Sequence, residues 1–281
     1  MSARRKMRVG IVGAGVMAEA MVSGLIADRA VTAGQLVASH PRRERRDALA
    51  ASHGISVVAG NADAAAEAEI VVLAVKPQML GRVMRELAPA LREEQVVLSI
   101  VAGATLRALI TGLDHPAVVR AMPNTPAQIR RGITVWAAAP ACTTRQRELA
   151  RAVLRALGEE RQVAEEEFVA MATALSGTGP TYLFAVMEAL IDAGVHLGFP
   201  RELAHDLVVA TLLGSAEYAR ASELHPAQLR NAVTSPGGTS AAAIYELEKG
   251  RLRTVLSDAV WAAYRRTVEL GERLEQESAP D

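Results

Sequence analysis

The 281-residue sequence predicts an α/β fold in two parts: a doubly wound sheet over residues 1–165, then an all-helical region over residues 166–281. Three observations carry this. Short aliphatic runs alternate with helical segments through the first half, the strand pattern disappears after about Glu165, and a glycine-rich turn follows the first run directly. Continuous apolar strands separated by helices imply a parallel sheet covered on both faces.

Taken in order, the strand-length runs are Arg8 to Val12, Gln35 to Ser39, Ile70 to Val75, Val96 to Val101, Val118 to Met122 and Ile133 to Ala137. Between most of them lie Ala/Leu/Glu/Arg segments such as Arg45 to Ser52 and Leu80 to Leu91. Beyond Glu165, helices are predicted over Thr181 to Leu197, Arg201 to Ala221, Pro226 to Val233, Ser240 to Lys249 and Leu252 to Leu274. Gly-Phe-Pro, His-Pro, Ser-Pro-Gly-Gly and Gly250 punctuate them. There is no internal repeat, and the last seven residues, EQESAPD, read as a frayed end.

Gly13-Ala14-Gly15-Val16-Met17-Ala18 sits between an apolar strand and an apolar helix, which makes the first part Rossmann-type. Gly13 permits the tight turn, Gly15 lets a pyrophosphate reach the backbone, and small Ala18 lets helix and strand pack closely. The whole stretch, Val16 and Met17 included, is expected to bind a dinucleotide. About twenty residues on, where an NAD enzyme carries an acid for the ribose, this chain reads Ser39-His40-Pro41-Arg42-Arg43-Glu44-Arg45-Arg46. A hydroxyl and guanidiniums at a strand tip suit a 2′-phosphate, so NADPH is expected, with NADH accepted less well. Ser39 with Arg42 or Arg43 is the expected phosphate contact; Arg45 and Arg46 read as the solvated face of the next helix.

Three loops lie beyond strand ends, where open α/β sheets bind ligands: Val75-Lys76-Pro77-Gln78, Val101-Ala102-Gly103 and Met122-Pro123-Asn124-Thr125-Pro126. Lys76 reads as a catalytic lysine, as a cation beside the cofactor or as a surface residue. A fourth stretch, Ser235-Pro236-Gly237-Gly238-Thr239-Ser240, opens a helix without any acid, base or metal ligand. Helix N-termini present unsatisfied N–H donors, and glycines let a ligand approach the backbone, so the stretch suits a small carboxylate. It also suits an ordinary Ser235 cap followed by proline.

Lysine plus arginine and aspartate plus glutamate each number 31, so no global field favours nucleic acid or an anionic membrane, and a small-molecule partner is expected. No apolar run reads as a signal peptide or a membrane span. A single cysteine, Cys142, excludes an internal disulfide and fits a cytoplasmic, reducing setting, where it reads as a small apolar residue. No pair of histidines has metal-site spacing; His53 and His115 are placed in loops, and His40 near the cofactor phosphate.

In the order GIVGAGVMAEAM, LAVKPQ, SIVAGATL, RAMPNTPAQIRRGIT, ALSGTGPTYLF and HPAQLRNAVTSPGGTSAAAIYELE, the chain resembles the pyrroline-5-carboxylate reductases from Arg8 to about Leu270. The resemblance implies hydride transfer from NADPH to the C=N carbon of 1-pyrroline-5-carboxylate, giving L-proline, the last step of proline biosynthesis. It implies that Ser235, Gly237, Gly238, Thr239 and Ser240 hold the substrate carboxylate, and that Ser240, where the family generally has threonine, contacts the ring nitrogen or relays a proton. Glu223 matches a family glutamate near the substrate. Gly13, Gly15, Ala18, Ser39, Arg42 and Asn61 are implied at the adenosine end, and Val75, Lys76, Pro77, Ala102, Gly103, Met122, Pro123 and Asn124 beside the nicotinamide. A cyclic imine is basic enough to bind already protonated, so orientation and water exclusion carry most of the work.

The broad apolar faces of Leu203, Leu207, Leu213 and Tyr218, and of Val255, Val260, Trp261, Tyr264 and Val268, ask for a partner surface. The resemblance implies a homodimer interleaved through this domain, and assembly further, up to a decamer. One departure is Gly177-Thr178-Gly179-Pro180-Thr181-Tyr182, with Thr181 where alanine is usual, which leaves a related cyclic imine open as substrate. A β-hydroxyacid dehydrogenase would carry a lysine after that turn, and none is there. A non-catalytic NADPH sensor would keep the same loops.

Overall fold

The computed structural model describes residues 7–278. It divides the chain into two compact units, the first running to Thr178 and resuming at Ala262, the second spanning Gly179–Trp261.

The first unit is an eight-stranded sheet with strands β1 (Val9–Val12), β2 (Leu36–Ser39), β3 (Ser56–Val58), β4 (Ile70–Leu73), β5 (Val96–Ser99), β6 (Val118–Met122), β7 (Gly132–Ala138) and β8 (Gly158–Gln162), in the order 3-2-1-4-5-6-7-8. Its helices are α1 (Val16–Ala27), α2 (Arg43–His53), α3 (Asn61–Ala65), α4 (Pro77–Leu87), α5 (Leu106–Leu113), α6 (Thr144–Arg155) and α7 (Glu167–Ala172). Strands β1, β4 and β5 are buried along their whole length, as continuous Val/Ile/Leu runs demand between two helical layers. The strand order reverses between β1 and β4, so the crevice beyond their carboxyl ends is the switch point where such sheets take ligands.

Six strands run parallel as expected, but β7 pairs antiparallel with β6, and β8 then runs parallel to β7. The all-parallel reading is thus corrected to a mixed sheet. The connection from β6 to β7 spans only residues 123–131, with a 3-10 turn over Thr125–Ile129, which is shorter than the crossover of roughly a dozen or more residues that a parallel return requires. Past β8, α7 and the π-turn Thr173–Gly177 still belong to the first compact unit, which runs to Thr178. Arg120 on β6 is buried and pairs with Glu166 at 2.6 Å. The same carboxylate oxygen accepts the Leu106 N–H at 2.7 Å, joining sheet, α5 and the start of α7.

The second unit holds α8 (Gly179–His196), α9 (Arg201–Ala221), α10 (Pro226–Ala232), α11 (Thr239–Lys249) and the first part of α12 (Leu252–Ser278). Only Pro180 and Ala204 are buried in it, while Leu197, Leu213 and Tyr245 are 82%, 60% and 69% exposed. A unit this rich in leucine and aromatics has no core of its own within one chain. The end expected to fray begins as helix, since α12 continues to Ser278; its last three residues, and the opening MSARRK, lie outside the described residues. Among the described residues no helix is long and apolar enough to cross a membrane, and no histidine, cysteine and carboxylate group could hold a metal.

Candidate active site

Gly13 has φ +100°, and a Cβ there would stand 2.7 Å from the Ala74 carbonyl oxygen, so the turn out of β1 admits only glycine. Gly15, the residue before α1, has nothing within 4 Å of where a Cβ would be. Its open side is where a ligand can meet the first N–H groups of α1. Behind it Ala18 is fully buried and lets α1 close onto the sheet.

Gly13 and Gly15 border a cleft of roughly 710 Å³ that also takes in Val16, Ser39, Arg42, Asn61, Val75 and Lys76. Ser39 is fully buried, and its Oγ donates to Asn61 Oδ1 at 2.8 Å. Asn61 Nδ2 donates to Glu86 Oε2 at 2.6 Å, and Arg82 Nε to Glu86 Oε1 at 2.8 Å. Those two donors, Arg82 first, hold the Glu86 carboxyl below its ordinary value. Arg42 is exposed at the mouth, and its backbone N–H donates to His40 Nδ1 at 3.2 Å. Burial first, with the guanidiniums of Arg42, Arg45 and Arg46 adding to it, pushes His40 below its ordinary value against the opposing backbone hydrogen bond of Arg42.

Two arginines assigned to a solvated helix face are not so placed. Arg46 Nη1 donates to the carbonyls of His40 and Pro41, at 3.0 and 2.7 Å. Arg45 lines the cleft, its Nε donating to the Ala14 carbonyl at 2.8 Å and its Nη2 to Glu19 Oε2 at 2.5 Å. The Arg45 bond holds Glu19 below its ordinary value against the opposing effect of burial. His53, expected in a loop, ends α2 and lies 3.4 Å from the other Glu19 oxygen. The cleft thus combines four cations, Lys76, Arg42, Arg45 and Arg82, with two carboxylates that are already engaged. That balance and the open glycine fit a dinucleotide carrying an extra phosphate.

Not every expected cofactor residue borders this cleft. Met17 and Pro77 sit in the first turns of α1 and α4, with Lys76 capping the latter. Ala102 and Gly103 form the turn after β5, where Gly103 has φ +80°. Met122 ends β6, Pro123 follows, and the Asn124 side chain accepts the Ile133 N–H at 2.9 Å, which fixes the entry to β7. Cys142 is buried, its Sγ donates to the Val118 carbonyl at 3.3 Å, and burial raises its pKa; it is structural.

In the second unit, the loop before α11 is a tight turn closed by the Gly238 N–H to the Ser235 carbonyl at 3.0 Å. Pro236 takes its first corner and Gly237, with φ +70°, its second, the arrangement of a type II turn. Gly238 precedes the helix and has no side chain with which to cap it, so no cap side chain takes up the N–H groups of the first turn of α11. Gly237 has open space where a Cβ would be. Ser240 is half-buried at the second helical position, and Glu223 is exposed in the α9–α10 connection.

Comparison with known proteins decides what this arrangement belongs to. Residues 165–270 match the family model for pyrroline-5-carboxylate reductase dimerisation, and residues 8–103 that for NADP oxidoreductase, coenzyme F420-dependent. The chain is 43% identical over 270 residues to the pyrroline-5-carboxylate reductase of Pseudomonas aeruginosa, covering 96% of this chain and 98% of that one. The chain belongs to the pyrroline-5-carboxylate reductase family. Its backbone follows the Coxiella burnetii pyrroline-5-carboxylate reductase with a TM-score of 0.87 at 36% identity, over 95% of this chain and 99% of that one. It follows the Plasmodium falciparum pyrroline carboxylate reductase, solved with NADP bound, with a TM-score of 0.88 at 28% identity, over 96% and 100%. As a pyrroline-5-carboxylate reductase by family, the chain carries an NADP-binding domain and a dimerisation region.

Within the cleft, sequence reasoning missed Glu19, Arg45, Arg82 and Glu86. The i,i+4 spacing of Arg82 and Glu86 is legible, but it is also the spacing of any solvated helix pair.

Proposed function

We propose that the protein reduces the C=N bond of 1-pyrroline-5-carboxylate to L-proline with NADPH, as a homodimer working in the cytoplasm. The observation that carries this reading is near-full-length identity to reductases of that name, on a chain whose glycine turn and SPGG turn both keep open backbone donors. When bound, NADPH supplies the hydride for the imine carbon. Gly13, Gly15, Val16, Met17 and Ala18 hold its pyrophosphate side, and Ser39, Arg42 and Asn61 its adenosine side. Val75, Lys76, Pro77, Ala102, Gly103, Met122, Pro123 and Asn124 border its nicotinamide.

The N–H groups at the start of α11, with the hydroxyls of Ser235, Thr239 and Ser240 and the open backbone of Gly237 and Gly238, hold the substrate carboxylate. A helix N-terminus binds such an anion without a side-chain cation, and the turn carries none. Ser240 keeps the hydroxyl that contacts the ring nitrogen but lacks the methyl that would restrict its rotamer. Glu223 lies at the rim. Lys76 acts as a cation beside the cofactor, since a substrate bound as the iminium needs no further acid.

The test is loss of NADPH absorbance with purified protein and 1-pyrroline-5-carboxylate, beside the six-membered analogue, NADH and Ser240→Ala. Rapid turnover preferring the five-membered imine and NADPH, with Ser240→Ala slowed by about 10²-fold or more, is expected. NADPH binding without turnover on either imine would return the chain to the sensor reading. Sedimentation of the same preparation reads the dimer, and any assembly of dimers towards a decamer.

A further inference from the structure

Arg45 is tied to the glycine turn in a way that the cofactor reading does not use. Arg45, Leu49 and His53 follow one another at four-residue steps along one stripe of α2, with Leu49 buried between the two polar ends. Both ends reach Glu19 in the first turn of α1, Arg45 at 2.5 Å and His53 at 3.4 Å. Arg45 Nε goes further, to the Ala14 carbonyl at 2.8 Å. Ala14 and Gly15 share one trans peptide unit, so a carbonyl held towards α2 aims the Gly15 N–H the opposite way. That N–H belongs to the open glycine at the start of α1, on the border of the cleft.

We propose that Arg45 is a positioning residue for the dinucleotide: braced by Glu19, it holds the Ala14–Gly15 peptide so that its N–H faces the pyrophosphate. The inference rests on the NADPH-dependent reading of the same cleft and adds a residue that acts through the backbone. A pyrophosphate is common to NADPH and NADH, whereas the 2′-phosphate is not. Loss of Arg45 therefore weakens both dinucleotides alike, while loss of Arg42 at the mouth weakens NADPH alone.

The experiment is calorimetric titration of NADPH and of NADH into the wild-type protein and the Arg45→Ala, Arg45→Lys, Glu19→Gln and Arg42→Ala variants, with KM and kcat measured alongside. Arg45→Ala is expected to raise Kd and KM about tenfold for each dinucleotide, the worth of one charge-assisted hydrogen bond, with kcat changed far less. Glu19→Gln follows in the same direction by a smaller factor, and Arg45→Lys restores little, because one ammonium cannot serve the carbonyl and the carboxylate in a fixed fork. If Arg45→Ala does not fold, the affinities of Glu19→Gln and Arg45→Lys for the two dinucleotides decide between the outcomes. A loss confined to NADPH would place Arg45 on the 2′-phosphate and overturn the proposal. So would a lowered melting temperature with both affinities intact. A wild-type protein that binds neither dinucleotide would overturn the cofactor reading as well.

Discussion

Gly103 and Gly271 lie backbone against backbone: a Cβ on Gly271 would stand 3.2 Å from the Gly103 carbonyl oxygen, and one on Gly103 would stand 3.3 Å from the Gly271 nitrogen. Gly103 also has φ +80°, and its added Cβ would come within 2.8 Å of the Leu270 Cβ. The last turns of α12 therefore close on the loop after β5, helped by Thr105 Oγ1 donating to Glu275 at 2.7 Å and by buried Leu274. Gly103→Ala is expected to cost about 2 kcal/mol, from left-handed strain and the displaced helix together. Thermal unfolding checks it, with a midpoint several degrees lower; an unchanged midpoint would show that α12 yields freely.

The Arg120–Glu166 pair makes a second prediction. With Arg120 only 6% and Glu166 29% exposed, the guanidinium is nearly dry and depends on its partner. Glu166→Ala strands that charge and removes the acceptor of the Leu106 N–H, so a loss of about 2–4 kcal/mol is expected. Glu166→Gln keeps an acceptor for the amide and loses less. Urea unfolding of the two variants separates charge from hydrogen bond.

Acid sensitivity follows from Glu19 and Glu86. Both have carboxyls held below the ordinary 4.5 by arginine donors, Arg45 for Glu19 and Arg82 for Glu86. A depressed carboxyl contributes stability in full above its unfolded value and loses it as pH falls through the folded value. Each side chain is more than a third exposed, so solvent screening limits the worth to a few tenths of a kcal/mol. The stability gap between wild type and a Glu19→Gln, Glu86→Gln double variant is expected to be present at pH 6 and to close below about pH 4. A gap constant with pH would mean that packing, and not charge, sets it.

What the sequence disclosed was decided by residue chemistry, and what it hid was decided by pairing. The β1, β4 and β5 runs are buried from end to end and apolar but for Ser99 at the end of β5, because both faces are covered, so they announce themselves. Strand β8 reads GEERQ and gives no such signal, since it is an edge strand held through backbone pairing with β7. Its Glu160 accepts the buried Trp136 indole N–H at 2.8 Å, a contact that no local pattern encodes. Gly13, Gly15 and the Ser235–Ser240 turn were legible because a positive φ or an open backbone needs glycine locally. Arg45 was not, because its partners Ala14 and Glu19 are 31 and 26 residues away, and the same arginine on a helix with nothing beside it would be solvated.

The second unit predicts its own oligomerisation. Leu203, Leu207 and Leu213 on α9 are 46%, 47% and 60% exposed in the single chain, in a unit with two buried residues. Covering the half of each side chain that is still exposed is worth about 1 kcal/mol or somewhat more, so Leu213→Glu is expected to shift the protein from dimer towards monomer and to lower its melting temperature. Sedimentation velocity across a concentration series reads this. An unchanged sedimentation coefficient would take α9 out of the dimer surface.

At the proposed carboxylate site, a substitution at the Gly237 corner is expected to separate substrate from cofactor. At φ +70°, an alanine meets no neighbour within 4 Å, so the substitution tests backbone conformation and not space. Left-handed strain of about 1–2 kcal/mol either tilts the turn, moving the first N–H groups of α11 relative to the carboxylate, or is borne as lost stability. The unit has no dense core around this turn to force the strained geometry, so tilting is favoured, and the imine KM should rise about tenfold while the KM for NADPH stays within about twofold. Steady-state kinetics with each substrate varied in turn distinguishes the cases. Equal increases in both KM values would mean that the turn serves the cofactor too, and a fall in melting temperature with both KM values unchanged would mean that α11 holds the strain without passing it to the ligand.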